Sequence, residues 1–195
     1  MRAKFVLARR LNRKIEAILC AEHRQVYQRY LFSPEANVSV LSSPDFAFSN
    51  GMYNDQRLHR YRGSFRFSKH YLGADAVPAF DGNEGGEEFK CAQTVDSLRE
   101  VRYWLRNVSQ HPKSFWLPLA QGKFYPDFVA LLEDERLLVV EYKGAHLANM
   151  PETNEKRTVG HLWEQASSGR GLFLTVEREK NGKDVRDQLL NKIRR

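Results

Sequence analysis

Apolar residues recur at three- and four-residue steps near the start of the chain: Leu7, Leu11, Ile15, Ile18 and Leu19, then Val26, Tyr27 and Tyr30. That spacing predicts an amphipathic helix over residues 1 to 32, ended by the Ser33-Pro34 pair. A helix this long without its own sheet must pack on something. It either covers the domain that follows or docks on another domain or chain. Residues 33–85 are punctuated by Pro44, Gly51, Gly63, Gly73, Pro78, Gly82 and Gly85. They read as loops with one or two short strands, the clearest at Ser64–Ser68, which alternates with period two.

From Gly86 the pattern sharpens. Glu87–Ser97 reads as a helix with Phe89, Ala92, Val95 and Cys91 inward. Strands follow at Glu100–Leu105, Ser114–Leu119, Lys123–Leu132 and Arg136–Glu141, with Glu133-Asp134-Glu135 as the turn of a hairpin between the last two. Glu152–Ser168 is a helix with Val159, Leu162, Trp163 and Ala166 on one face, stopped at Gly169. Gly171–Val176 is a buried strand and Val185–Ile193 a final amphipathic helix. The order predicts an α/β fold, a mixed sheet flanked by helices. The chain divides into a helical appendage (1–32), a loop-rich segment (33–85) and a core (86–195).

Composition narrows the class. The chain has 195 residues, 42% hydrophobic and 28% charged, which suits one soluble domain with an appendage. No apolar run approaches the roughly 18 residues a membrane helix needs. The net charge of +7 favours polyanions, nucleic acid before anionic membrane. Cys20 and Cys91 make no disulfide framework, and buried thiols suit a reducing, cytoplasmic compartment. The Arg-rich first residues only faintly resemble a mitochondrial presequence, because Leu7, Leu11, Ile15 and Ile18 read as a packed helix face. Arg57, Arg60, Arg62, Arg66 and Lys69 alternate with Tyr53, Tyr61, Phe65, Phe67 and Tyr71. Such interleaving can hold phosphates and stack bases. Equally, the aromatics can be core and the cations solvated.

The informative chemistry lies in Phe124–Gly144, FYPDFVALLEDERLLVVEYKG. In a strand, Glu141 and Lys143 project to one face about 6.6 Å apart. Asp127 opens the preceding strand, so the hairpin brings it to Glu141, with Lys143 alongside. Two adjacent carboxylates at the end of a buried strand need a cation. Magnesium fits, with manganese as a substitute, and its ligands would be Asp127, Glu141 and the Tyr142 carbonyl. Such an ion polarises a phosphate oxygen and acidifies water, while Lys143 can orient that water. The competing reading is a strand-end salt bridge from Lys143 to either carboxylate. Glu88, on one stripe with Ala92 and Val95, is the candidate for a further acid, ahead of Glu87. A first-turn glutamate that complements the helix dipole is the plainer alternative. Lys156 could reach a scissile phosphate, or be solvated. Trp163 reads as core, Gln165 as surface, and His146 as an incidental loop residue just past the motif. The six histidines lack zinc spacing, and neither a Walker loop nor a GxSxG elbow occurs.

The stretch Phe65–Val176 resembles the C-terminal PD-(D/E)XK nuclease domain of the restriction subunit of type III restriction enzymes and related helicase-nucleases. The resemblance is carried by Lys69-His70-Tyr71, Glu87–Ala92, Val101–Asn107, Phe115–Pro118, Phe124–Val129, Val140–Gly144, Glu155–Arg157 through Gly160, Leu162-Trp163 and Ser167. It covers a little over half the chain. It implies a restriction-endonuclease-like fold, an αβββαβ core, and magnesium-dependent hydrolysis of DNA in restriction-modification. Asp127, Glu141 and Lys143 carry over as catalytic, with Glu88 beside them. Members join this domain to an ATP-driven motor, which this sequence does not contain. The resemblance then implies either a separated C-terminal piece of such a protein or a chain that works beside a helicase/ATPase or methyltransferase subunit supplying the motor. A non-catalytic DNA-binding or docking module on the same fold, or a nuclease of RNA or branched DNA, are the alternative expectations.

Overall fold

Leu137–Lys143 forms β5, and its pattern explains the layers. Leu138, Val140 and Tyr142 enter one apolar cluster, while Val139 between them enters another. A strand buried on both faces reads as a continuous apolar run, which is what Leu137–Val140 shows. The computed structural model describes residues 9–19, 21–22, 46–144 and 151–195.

The protein is mixed α/β. A four-stranded sheet runs in the order β1 (Val101–Arg106), β4 (Phe128–Leu132), β5, β6 (Gly171–Glu177). The first two pairings are antiparallel and the last is parallel. The β4–β5 turn is the expected Glu133-Asp134-Glu135, with Glu135 at a positive φ of 69°. The parallel step is made through α3 (Pro151–Ala166), as parallel pairing demands a crossover. Helices α2 (Glu87–Ser97) and α4 (Val185–Ile193) pack on the other side, together with Phe128, Leu138, Val140 and Val176. Val159 and Trp163 of α3 meet Val129, Val139 and Phe173. Trp163 is core and Gln165 is exposed, as the sequence suggests, but Ala166 is exposed rather than inward. It sits in the last turn of α3, where the chain departs through Ser168 and Gly169 at φ 54° and 82°.

Three expectations need correction. Ser64–Ser68 is not a strand. Its amides bond carboxylates instead of a ladder: Phe65 N–H donates to Glu84 at 3.1 Å, and Ser68 and Lys69 donate to Asp96 at 2.9 and 2.8 Å. The expected strand at Ser114–Leu119 shrinks to β2 (Leu117–Pro118), paired with β3 (Lys123–Phe124). Asn107 takes the main chain of Phe115 on both its sides, with bonds of 3.0 and 2.8 Å. The expected strand Lys123–Leu132 breaks between β3 and β4 at Tyr125-Pro126-Asp127, because proline donates nothing to a ladder.

The N-terminal helix, α1, is helical at residues 9–19. Leu11, Ile15, Ile18 and Leu19 on it are 47–58% exposed, so these side chains do not cover the sheet. The rest of that expected helix, residues 1–8 with Leu7 and residues 23–32, its Ser33-Pro34 end, Cys20 and His146 lie outside the described residues. Among the described residues no helix is long and apolar enough to cross a membrane.

Candidate active site

The register of the sheet places the site. Phe128 pairs with Val140 and Ala130 with Leu138, so the next step of the same register sets Asp127 opposite Glu141. Paired residues share a face, and alternation then puts Asp127, Glu141 and Lys143 on the side of α3, with Val129 and Val139. At this point β4 peels away. The Pro126 carbonyl is held by Asn107 Nδ2 at 2.8 Å, and the Asp127 carbonyl accepts the Asn107 N–H at 2.8 Å. The Tyr142 N–H is met instead by Asp127 Oδ2 at 2.6 Å. A side-chain carboxylate thus stands in for the last rung of the ladder.

Glu141 is buried, at 3% exposure. Its Oε1 receives Lys143 Nζ at 2.7 Å and Lys156 Nζ at 3.7 Å. Lys156 also lies over the Phe124 ring, 5.1 Å from its centroid. The salt bridge considered from the sequence therefore exists, but it uses one carboxylate oxygen only. Glu141 Oε2 is buried and has no hydrogen-bond partner. Burial pushes the Glu141 carboxyl above its ordinary range, with Lys143 and Lys156 pulling back. Asp127 is driven up further: burial acts first, then the charges of Glu141 and Glu88, against the Tyr142 N–H and Lys143. The buried Cys91 thiol is also raised, by burial and then by Asp127 and Glu88, which leaves it an inert neighbour.

Glu88 reaches this region from α2. Its Oε1 pairs with Arg106 Nη2 at 2.9 Å, and its carboxyl is raised by burial, against Arg106, with Asp81 and Glu141 adding to the rise. Glu87 faces elsewhere, accepting the Tyr142 hydroxyl at 3.1 Å with Arg178 at 3.9 Å. Of the two, Glu88 is the one tied by charge to the pair: it raises Asp127, and Glu141 raises it. Three supporting residues were given no role from the sequence. Asn107 sets the Pro126-Asp127 peptide, Arg106 neutralises Glu88 while lying over Phe80 at 4.9 Å, and Thr175 pairs with Glu141 in the β5–β6 register. The only advance signal was that each is a polar residue within or ending an apolar strand.

The basic segment divides by environment. Lys69 Nζ donates to the carbonyls of Leu98 and Val101 at 2.5 and 2.8 Å, binding the end of α2 to β1. Arg60 donates to the carbonyls of Ala76, at 2.8 Å, and Tyr53. Both charges are committed to the fold. Arg57 pairs with Asp55 at 3.0 Å, and Arg66 pairs with Asp75, both at the surface. Arg62 is exposed and lines a shallow depression with Tyr61, Phe65 and Arg66. The interleaved aromatics are core material: Tyr53 and Phe67 are buried, and Tyr61 and Phe65 pack against the main cluster.

The donors at the site suit a hard cation. Asp127 and Glu141 offer carboxylate oxygens at one end of a strand pair, and an unpartnered buried carboxylate oxygen is the kind of atom an ion satisfies. Among the described residues no three Asp, Glu, His or Cys side chains are already gathered as a ligand set. A site here would be built on two carboxylates and main-chain or solvent oxygen. No family model matches the chain, and neither a curated protein nor a solved structure is found to match it.

Proposed function

We propose that this chain is a metal-dependent nuclease of restriction-endonuclease-like fold that hydrolyses DNA phosphodiester bonds. The observation that carries the reading is the Asp127–Glu141 juxtaposition: two raised carboxyls on one sheet face, one buried oxygen unpartnered, and Lys143 alongside. The order α2, β1, β4, β5, α3, β6 supports the fold assignment, with the β2–β3 hairpin as an insertion. The basic balance of +7 supports a polyanionic substrate.

Asp127, Glu141 and the Tyr142 carbonyl would hold magnesium or manganese, with Glu88 near. A bound ion would polarise a phosphate oxygen and lower the pKa of water. The residues of the chain do the rest. Lys143, held by Glu141, lies where it can orient a water and offset charge on the phosphate. Lys156 approaches from α3 and supplies a second cation to the same carboxylate. Arg106 keeps Glu88 ionisable within a crowded acidic site. In the reaction the water oxygen bonds to phosphorus as the bond to the leaving oxygen breaks. One water proton is released, and the leaving oxygen gains one. Family members join such a domain to a motor, so a helicase/ATPase or methyltransferase, on the same chain or as a separate subunit, is what this reading calls for, with restriction-modification as the setting.

A second reading is a DNA-binding or docking module without catalysis. The 2.7 Å Lys143–Glu141 pair favours it, because that pair neutralises Glu141 without an ion. Incubation with supercoiled DNA separates the two. The nuclease reading expects nicking with magnesium or manganese, lost in Asp127→Ala and Lys143→Ala. Equal residual cutting by both variants would reject it. An RNA or branched-DNA arm in the same experiment fixes the substrate class, since the phosphodiester chemistry is indifferent to the sugar.

A further inference from the structure

We propose that Thr175 is a further catalytic residue, holding the attacking water jointly with Glu141 Oε2; this rests on the nuclease reading above. Thr175 pairs with Glu141 in the parallel β5–β6 register, which sets both side chains on the α3 face. Asp127, just before β4, is held to the same end of β5 by the Tyr142 N–H that its Oδ2 accepts. Thr175 is 7% exposed, and its Oγ1 is buried without a hydrogen-bond partner, as is Glu141 Oε2. The rest of Gly171–Val176 is apolar, and valine would fill the same space. An unmet buried hydroxyl destabilises a fold, so its presence points to a partner that enters the site.

The neighbouring cations do not serve it. Lys143 and Lys156 are drawn to Oε1 of Glu141, and Arg157 pairs with Glu177 at 3.0 Å one row further along β6. What fits between a carboxylate oxygen, which only accepts, and a hydroxyl, which does both, is a molecule that donates to the first and bonds the second. Water does this. A carboxylate oxygen also has two lone-pair sites, so Oε2 can face an ion and still accept from that water. In the hydrolytic step the water oxygen bonds to phosphorus while the bond to the leaving oxygen breaks. The released proton passes to solvent, and solvent protonates the leaving oxygen. Thr175 directs the lone pair and is itself unchanged.

The test pairs a high-resolution crystal structure of the full chain with cleavage kinetics for Thr175→Val and Thr175→Ser. Expected is an ordered solvent atom within about 3.2 Å of both oxygens that disappears in Thr175→Val. The same variant is expected to lose kcat by about 10²-fold, with KM and manganese affinity by calorimetry unchanged, and Thr175→Ser to recover it. A wild-type crystal with no solvent at that point overturns the proposal, as does Thr175→Val cutting at the wild-type rate. A wild-type chain that holds the solvent but cuts no nucleic acid overturns the nuclease reading itself, and with it the hydrolytic role.

Discussion

Asp127 Oδ2 accepts the Tyr142 amide at 2.6 Å, at the point where β4 separates from β5. The carboxylate is therefore fixed by the main chain of the strand that carries Glu141 and Lys143. That fixing has a cost, because burial and the charges of Glu141 and Glu88 both oppose ionisation of Asp127.

The cost gives a pH signature. A carboxyl whose folded-state pKa is raised contributes stability that is intact below its unfolded value, near 3.8 for Asp127, and is lost as pH rises through the folded value. Metal-free Asp127→Asn is thus expected to melt higher than wild type at neutral pH and to lose that advantage in acid. Each kcal/mol relieved corresponds to roughly 2–4 °C for a chain of this size. Magnesium is expected to raise the melting temperature of wild type and not of the variant. Calorimetric scans across pH check both halves.

Glu88 and Glu87 separate by partner. Glu88→Ala is expected to slow cleavage by at least about tenfold and Glu87→Ala to change it little, because only Glu88 is coupled to the Asp127–Glu141 pair. Lys143→Ala is expected to cost about 10²-fold or more. Single-turnover cleavage rates at saturating magnesium decide this; equal losses for the two glutamates would contradict it.

Much of this frame is legible in the sequence. Phe89, Ala92 and Val95 mark α2, and Leu137–Val140 marks β5, because helices and buried strands print their period onto apolar positions. The Glu141–Lys143 relation follows from strand alternation alone. What is not legible depends on distant partners. Ser64–Ser68 alternates like a strand, yet Glu84 and Asp96 take its amides. Thr175 and Asn107 acquire their places only once strand register and the break at Pro126 are known. Lys69, which in sequence is one of a run of surface cations, is a fastening between α2 and β1.

Asp96 anchors that fastening. It is buried and accepts from the Trp104 indole at 2.8 Å, from both Ser68 donors at 2.9 Å and from Lys69 N–H at 2.8 Å. Asp96→Ala leaves these donors unmet and is expected to destabilise by about 3 kcal/mol or more. Urea unfolding followed by tryptophan fluorescence measures it, and a loss under about 1 kcal/mol would show that water replaces the carboxylate.

Gly160 permits the close seat of α3 on the sheet, since a Cβ there would run into the Phe173 ring. Gly160→Ala is expected to cost about 1–3 kcal/mol by overpacking, despite the better helix propensity of alanine. Because Val159 and Trp163 share that seat, the change also shifts Lys156 relative to Glu141. Thermal melts give the first effect and cleavage rates the second.

The most direct test is a manganese soak of a crystal, read by anomalous scattering. Expected is one peak bonded by Asp127 and Glu141, lost in Asp127→Asn. Density with those two carboxylates unliganded, in a crystal whose Lys143–Glu141 pair persists at saturating manganese, would contradict a metal centre here.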